Sequence, residues 1–145
     1  MEILSEDVDR NVLITVLTPL GALDSSNFRQ LVAQAEQAYQ AGKQFLLLDL
    51  SRVHYMSSAG MLALNMIGKL YLGQKPPDAN PDWHTMQAIK KERSKLKPNQ
   101  HVKLLKPQEQ VEQVLDMVGF NKLFEVFQDR ESALSSFRFS DLQRK

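Results

Sequence analysis

The chain has 145 residues, 43% of them hydrophobic and 24% charged, and its 18 Lys and Arg against 17 Asp and Glu give a formal net charge of +1. This is the size and composition of one globular domain that buries its own core, and the charge excludes the overall basic field typical of nucleic-acid binding. The absence of cysteine excludes disulfides, iron–sulfur clusters, thiolate zinc sites and a cysteine nucleophile. Because no apolar run approaches the roughly 20 residues of a membrane span and the acidic N-terminus is unlike a secretory signal, we expect a cytoplasmic protein that is not membrane-embedded.

The first part of the chain predicts two strands and a helix. Residues 11–18 are β-branched and aliphatic and predict a strand bounded by Pro19 and Gly21, with residues 2–8 placed to pair with it. Helix-capping residue types follow, and apolar residues then recur with helical spacing until Gly42, a residue type that commonly ends helices.

The middle of the chain predicts a central strand and a second helix. Residues 45–50 are a nearly continuous apolar run, which is typical of a strand buried on both faces in the middle of a sheet. Ser57 and Ser58 precede the next apolar stretch, and serines in that place indicate a helix start.

Composition changes at residues 73–99, which hold four of the six prolines and carry a net charge of +3. We predict a surface insertion here. An exposed tryptophan beside cations is typical of a partner-binding hot spot, although the tryptophan can equally pin the insertion to the domain and the cations can be a solvated helix face. The candidate residues of this insertion surface are Trp83, Lys90, Lys91 and Arg93.

The last part of the chain predicts a strand at 101–106, a helix at 111–118 that ends at Gly119, a strand at 123–127 and a final helix capped by Asp129. Strands that alternate with helices are typical of an α/β domain with a largely parallel sheet.

The predicted architecture is one compact α/β domain with a mixed sheet of about five strands flanked by about four helices. It covers residues 1–139 with the insertion at 73–99 inside it, and residues 140–145 form a polar tail.

Catalytic motifs are missing from the sequence. It has no glycine-rich phosphate loop, no nucleophile elbow and no pair of histidines at metal-binding spacing, so we predict neither catalytic residues, a metal site nor a cofactor. A Ser58–His54 pair lacks an acid to orient it. Asp49 ends the apolar strand, where an acid can bind a ligand or bond the amides of the next loop. A small-ligand sensor or enzyme built on Asp49 and His54 is therefore one hypothesis.

The serine pair has two interpretations. Both residues can be simple helix caps, each worth about 1 kcal/mol. Alternatively, a helix start favours an anion, and a phosphoryl group on Ser58 would add about −1.5 to −2 charges there at neutral pH. Such a group would leave the helix intact and change how a partner docks on it.

Residues 45–61, FLLLDLSRVHYMSSAGM, resemble the STAS domain family of sulphate transporters and anti-sigma factor antagonists. The family pattern is an apolar strand ending in Asp-Leu, then Asp-Ser-Ser/Ala/Thr-Gly-Leu opening a helix. Residues 21–24, GALD, and residues 114–124, VLDMVGFNKLF, resemble two further family segments. The resemblance covers most of the chain except the insertion.

The resemblance implies a non-enzymatic partner switch. Stand-alone members bind an anti-sigma factor that is often also a serine kinase, and a PP2C-type phosphatase reverses the phosphorylation. The phosphorylated serine of the family corresponds to Ser58. The residues expected to bind the partner are Asp24, Ser57, Ser58, Ala59, Gly60 and Met61.

The chain departs from the family at Ser57, where the pattern has Asp. Phosphorylation of Ser58, phosphorylation of Ser57 and switching by binding alone therefore remain open. The alternative function is a constitutive STAS subunit of a membrane complex that transports lipids or anions, in which Ser58 would be only a cap.

Overall fold

The computed structural model describes residues 1–73 and 98–142. Six strands and five α-helices occur in these two ranges. In chain order they are β1 (Glu2–Asp9), β2 (Leu13–Leu23), α1 (Phe28–Gln40), β3 (Phe45–Asp49), β4 (Val53–Met56), α2 (Ser58–Tyr71), β5 (Asn99–Leu105), α3 (Glu109–Val118), α4 (Phe120–Leu123), β6 (Phe124–Phe127) and α5 (Arg130–Ser136), followed by a 3-10 turn at Phe139–Asp141.

The strands form one mixed sheet in the order β1-β2-β3-β5-β6, and β4 pairs with the end of β2. β1 is antiparallel to β2, and all other neighbours are parallel. The long β2 pairs through residues 14–17 with β3 and through residues 21–23 with β4. The carboxyl ends of β2 and β4 therefore lie side by side at one edge of the sheet.

Helices cover both faces of the sheet. One core lies under α1, α2, α3 and α4, and α2 is buried along most of its length. Inside this core the hydroxyl of Tyr71 donates to the carbonyl oxygen of Ala35 at 2.8 Å and ties α2 to α1. The second core lies under α5, where Ala133, Leu134 and Phe137 pack on the other face. Apolar surface on both sides of β3 explains its continuous apolar sequence.

The predicted α/β class and mixed sheet are confirmed. The predicted end of β2 is wrong, because the strand continues through Pro19 and Gly21 to Leu23. Pro19 pairs with Ile3 of β1 on one side. On the other side it lies between the stretch of β2 that pairs with β3 and the stretch that pairs with β4, so neither of these strands loses a hydrogen bond because proline has no amide hydrogen. β4 was not among the predicted strands.

Two boundaries near the C-terminus also differ. The last strand begins at Phe124, because Gly119 adopts a left-handed conformation (φ 73°) and a one-turn helix follows it. Leu142 packs against the second core, so ordered structure continues past the predicted limit at residue 139. The insertion remains a prediction, since residues 74–97 lie outside the described residues. Within residues 1–73 and 98–142, no helix has the length and apolar character needed to cross a bilayer.

Candidate functional site

Ser57 lies where β4 ends and α2 begins. It is the N-cap of α2 (φ −91°, ψ 179°), and its Oγ accepts a hydrogen bond from the amide of Ala59 at 3.2 Å. Its own amide donates to the carbonyl oxygen of Leu23, the last residue of β2, at 3.0 Å. Ser57 is therefore held by the helix that it caps and by the neighbouring strand.

Ser58 is the first residue of α2, and its side chain is exposed. Within the described ranges its hydroxyl has no hydrogen-bond partner. The first turn of α2 contains no acidic residue. A negative group on Ser58 would therefore meet the positive end of the helix dipole without a competing side-chain charge on that turn.

Three of the residues predicted to contact a partner are buried instead. Ala59 and Met61 are 2% and 0% exposed, and Gly60 is buried between them. The face of α2 that carries these three residues packs against the ends of β2 and β4. The residues therefore belong to the core and are not accessible to a partner. The accessible members of the predicted set are Asp24, Ser57 and Ser58.

Gly60 marks a close approach of α2 to the sheet. A Cβ atom there would lie 2.5 Å from Cγ of Met56 and 3.1 Å from the carbonyl oxygen of Leu23. We therefore expect Gly60→Ala to lower the free energy of unfolding by about 1–3 kcal/mol in urea titrations, since the helix must shift to admit the methyl group. Ser58→Ala, an exposed change in the same turn, is the control and should alter it by less than about 0.5 kcal/mol. Equal effects of the two changes would contradict the close approach.

Asp24 lies in the neighbouring loop, between β2 and α1. One of its carboxylate oxygens accepts the hydroxyl and the amide of Ser26 at 2.5 and 2.9 Å, and these bonds hold the pKa of Asp24 below its usual range. The side chain of Asn27 accepts the amide of Asp24 at 3.0 Å and donates to the carbonyl oxygen of Ala22 at 2.8 Å. The loop thus fixes a negative charge directly after Leu23, the residue that bonds Ser57.

Gln108 and Gln110, at the start of α3, were not predicted to belong to the site. Oε1 of Gln110 accepts the amide of Met56 at 2.9 Å, and its Nε2 donates to the carbonyl oxygen of Met56 at 3.4 Å. Nε2 of Gln108 donates to the carbonyl oxygen of Ser51 at 2.8 Å. Glutamine at a helix start carries no sequence signal for such contacts, because the partner lies more than 50 residues away in the chain.

Asp49 and His54 are the remaining candidate residues within residues 1–73 and 98–142. Oδ1 of Asp49 accepts the amide of Ser51 at 3.0 Å, which is the loop-bonding alternative. His54 is exposed on β4. In the described part of the chain, no group of three or more His, Asp and Glu is placed to hold a metal ion. The insertion candidates Trp83, Lys90, Lys91 and Arg93 lie outside the described residues.

The site extends from the carboxyl end of β4 through the two serines to the first turn of α2. All of these residues lie within a stretch that matches a family model. Residues 6–74 match the STAS domain family. The chain is therefore similar to STAS domains over this part of its length. It is 26% identical over 120 residues to BtrV of Bordetella bronchiseptica, named as a candidate anti-sigma factor antagonist, and the match covers 81% of each chain.

Solved structures share the fold of this chain. A candidate anti-sigma factor antagonist of Thermotoga maritima superposes with a TM-score of 0.69 at 18% identity, covering 94% of both chains. SpoIIAA in its unphosphorylated form gives a TM-score of 0.58 at 20% identity, covering 92% of this chain and 94% of that one. The phosphorylated form of the Bacillus protein also gives 0.58, at 16% identity, covering 94% and 100%. The chain therefore has a SpoIIAA-like fold.

Proposed function

We propose that this chain is a non-enzymatic regulatory protein that binds an anti-sigma factor with serine-kinase activity and is released when Ser58 is phosphorylated. A PP2C-type phosphatase would restore the binding form. The observation that carries the proposal is the exposed hydroxyl of Ser58 on the first residue of α2, beside a cap that Ser57 already supplies. The names of the relatives support it, since BtrV is named for anti-sigma factor antagonism and SpoIIAA exists in a phosphorylated form.

The two serines differ in what a kinase would meet. Ser57 is half-buried and its Oγ is engaged with the amide of Ala59, so modifying it would disturb the cap. The hydroxyl of Ser58 is exposed and is not used by the fold. These contacts favour Ser58 over Ser57 as the modified residue, although Ser57 replaces the acidic residue of the family pattern.

A phosphoryl group on Ser58 would act on the partner and not on the fold. It adds about −1.5 to −2 charges at neutral pH, which the N-terminus of α2 accommodates. The ionised carboxylate of Asp24 lies in the adjacent loop, so the accessible surface would carry negative charge from this loop and from the first turn of α2. A partner shaped for the unmodified surface would lose affinity through repulsion and desolvation.

The test is a pull-down of the tagged full chain from its native cells, with intact-mass analysis of the chain and identification of what it retains. We expect a serine kinase among the retained proteins and a fraction of the chain heavier by one phosphoryl group. The retained kinase, purified, should phosphorylate wild type and Ser57→Ala but not Ser58→Ala. Modification confined to Ser57, or capture of a membrane permease with an unmodified chain, would contradict the proposal, and the second result would favour the transport subunit.

A further inference from the structure

β4 has a strand neighbour on one side only. Within residues 1–73 and 98–142 it pairs with β2 and with no other strand. In a strand, the N–H and C=O groups of one residue point to the same side, and those of the next residue point to the opposite side. Because the amide of Ser57 points to Leu23 of β2, the N–H and C=O groups of Met56 point to the opposite side, where a further strand would otherwise meet them.

The side chain of Gln110 takes the place of that missing strand. Its carboxamide accepts the amide of Met56 at 2.9 Å and approaches the carbonyl oxygen at 3.4 Å as donor. A carboxamide is suited to this task because it carries an acceptor and a donor side by side, and so can pair with both the N–H and the C=O of one strand residue. The contact lies in a half-buried place, where an unsatisfied amide costs free energy.

We propose that Gln110 is a positioning residue for the Ser58 site. Met56 directly precedes the N-cap, so the orientation of its peptide group sets the direction in which Ser57 and Ser58 open α2. Leu23 holds the next amide from the other side, and Gln110 from α3 completes the clamp. Through this contact the position of α3 is coupled to the presentation of the Ser58 hydroxyl. The proposal rests on the proposed function only for the importance of Ser58.

The chain contains no cysteine, so Ser58→Cys places a single reporter thiol at the site. A thiol at a helix N-terminus has a pKa below the ordinary value of about 8.5. Its pKa is obtained from the pH dependence of its reaction rate with dithiobis(nitrobenzoate). In the Ser58→Cys background, we expect Gln110→Met to raise the thiol pKa toward about 8.5, because the helix start loses its fixed geometry.

Amide hydrogen exchange supplies the second readout. Gln110→Met keeps the size of the side chain but removes both hydrogen bonds, so the amide of Met56 should exchange roughly tenfold faster than in wild type. Gln110→Glu keeps the acceptor for that amide and should restore most of its protection. Gln113→Met, an exposed change on the same helix, is the matched control and should change neither readout.

Unchanged thiol pKa and unchanged exchange in Gln110→Met would overturn the positioning role. Equal changes in Gln113→Met would also overturn it, since the effect would then come from α3 as a whole. Neither readout uses a partner. If Gln110→Met moves both readouts while wild type receives no phosphoryl group, the proposed function fails and the positioning role stands. If wild type is phosphorylated and Gln110→Met moves neither readout, the positioning role fails and the proposed function stands.

Discussion

The variant Ser58→Asp is expected to bind the partner at least about tenfold more weakly than wild type, which corresponds to roughly 1.4 kcal/mol. The carboxylate places a permanent negative charge on the exposed first residue of α2. That charge suits the helix N-terminus, so thermal unfolding should show no loss of stability. The affinity and the stability would thus respond in different ways, which separates an effect on the interface from an effect on the fold.

Titration calorimetry with the purified partner measures this affinity. Ser140→Asp makes the same chemical change at an exposed residue of the C-terminal 3-10 turn, away from the site, and should leave the affinity unchanged. Ser58→Ala should bind as wild type does. An unaltered affinity for Ser58→Asp would remove this residue from the switch, and an equal loss for Ser140→Asp would indicate a general charge effect.

The variant Lys103→Ala is expected to lower the free energy of unfolding by about 3 kcal/mol. The side chain of Lys103 is 1% exposed, and its Nζ donates to the carbonyl oxygen and Oγ of Ser136 at 3.1 and 2.9 Å. The same nitrogen lies 3.4 Å from Oε1 of Glu125 and 4.8 Å from the ring centroid of Phe137. The lysine therefore fastens the end of α5 to β5, and its removal leaves a cavity and an unpaired carbonyl group.

Urea unfolding of Lys103→Ala and Lys103→Met separates packing from charge. Met fills the space of the aliphatic stem and needs no charge in the core, so Lys103→Met should lose less than half of the stability that Lys103→Ala loses. Lys69→Ala, on the partly exposed side of α2, is a control for losing a lysine elsewhere. Equal losses for the two Lys103 variants would show that the amine, and not the stem, carries the stabilisation.

The stability of wild type should also depend on pH through Lys103. Burial lowers the pKa of this lysine, and the neighbouring Glu125 only partly opposes the effect. The unfolded chain therefore binds more protons than the folded chain between the lowered pKa and the ordinary value near 10.4, so the free energy of unfolding rises with pH across that interval. The rise should be absent in Lys103→Met. A parallel pH dependence of the two proteins would show that Lys103 does not titrate abnormally.

Much of the fold could be predicted because local pattern and tertiary environment agree. The apolar run at 45–50 marks the central strand, and Gly42 and Gly119 follow their helices with φ of 92° and 73°, a conformation that glycine adopts more readily than other residues. Ser57 caps α2 as its residue type and place predict. In each case a residue and its chain neighbours contain the information.

The misplaced boundaries have a common cause. Pro19 and Gly21 ordinarily interrupt a strand, yet β2 continues through them because β1 pairs with residues 13–20 and β4 pairs with residues 21–23. Residues 53–56 carry too short a pattern to predict a strand, and they form β4 because β2 lies beside them. Pairing between distant segments outweighs local propensity at these places.

By itself the sequence determined that this chain forms an α/β domain and that a serine pair opens its second helix. It also determined the resemblance to the STAS family, because each of these features depends on residue order over short stretches. Only the tertiary structure decided that Ser58 is exposed while Ala59 and Met61 are buried, and that Gln110 and Lys103 bond distant backbone groups. Long polar side chains reach several ångströms in any direction, so their partners depend on how the elements pack and not on residue type.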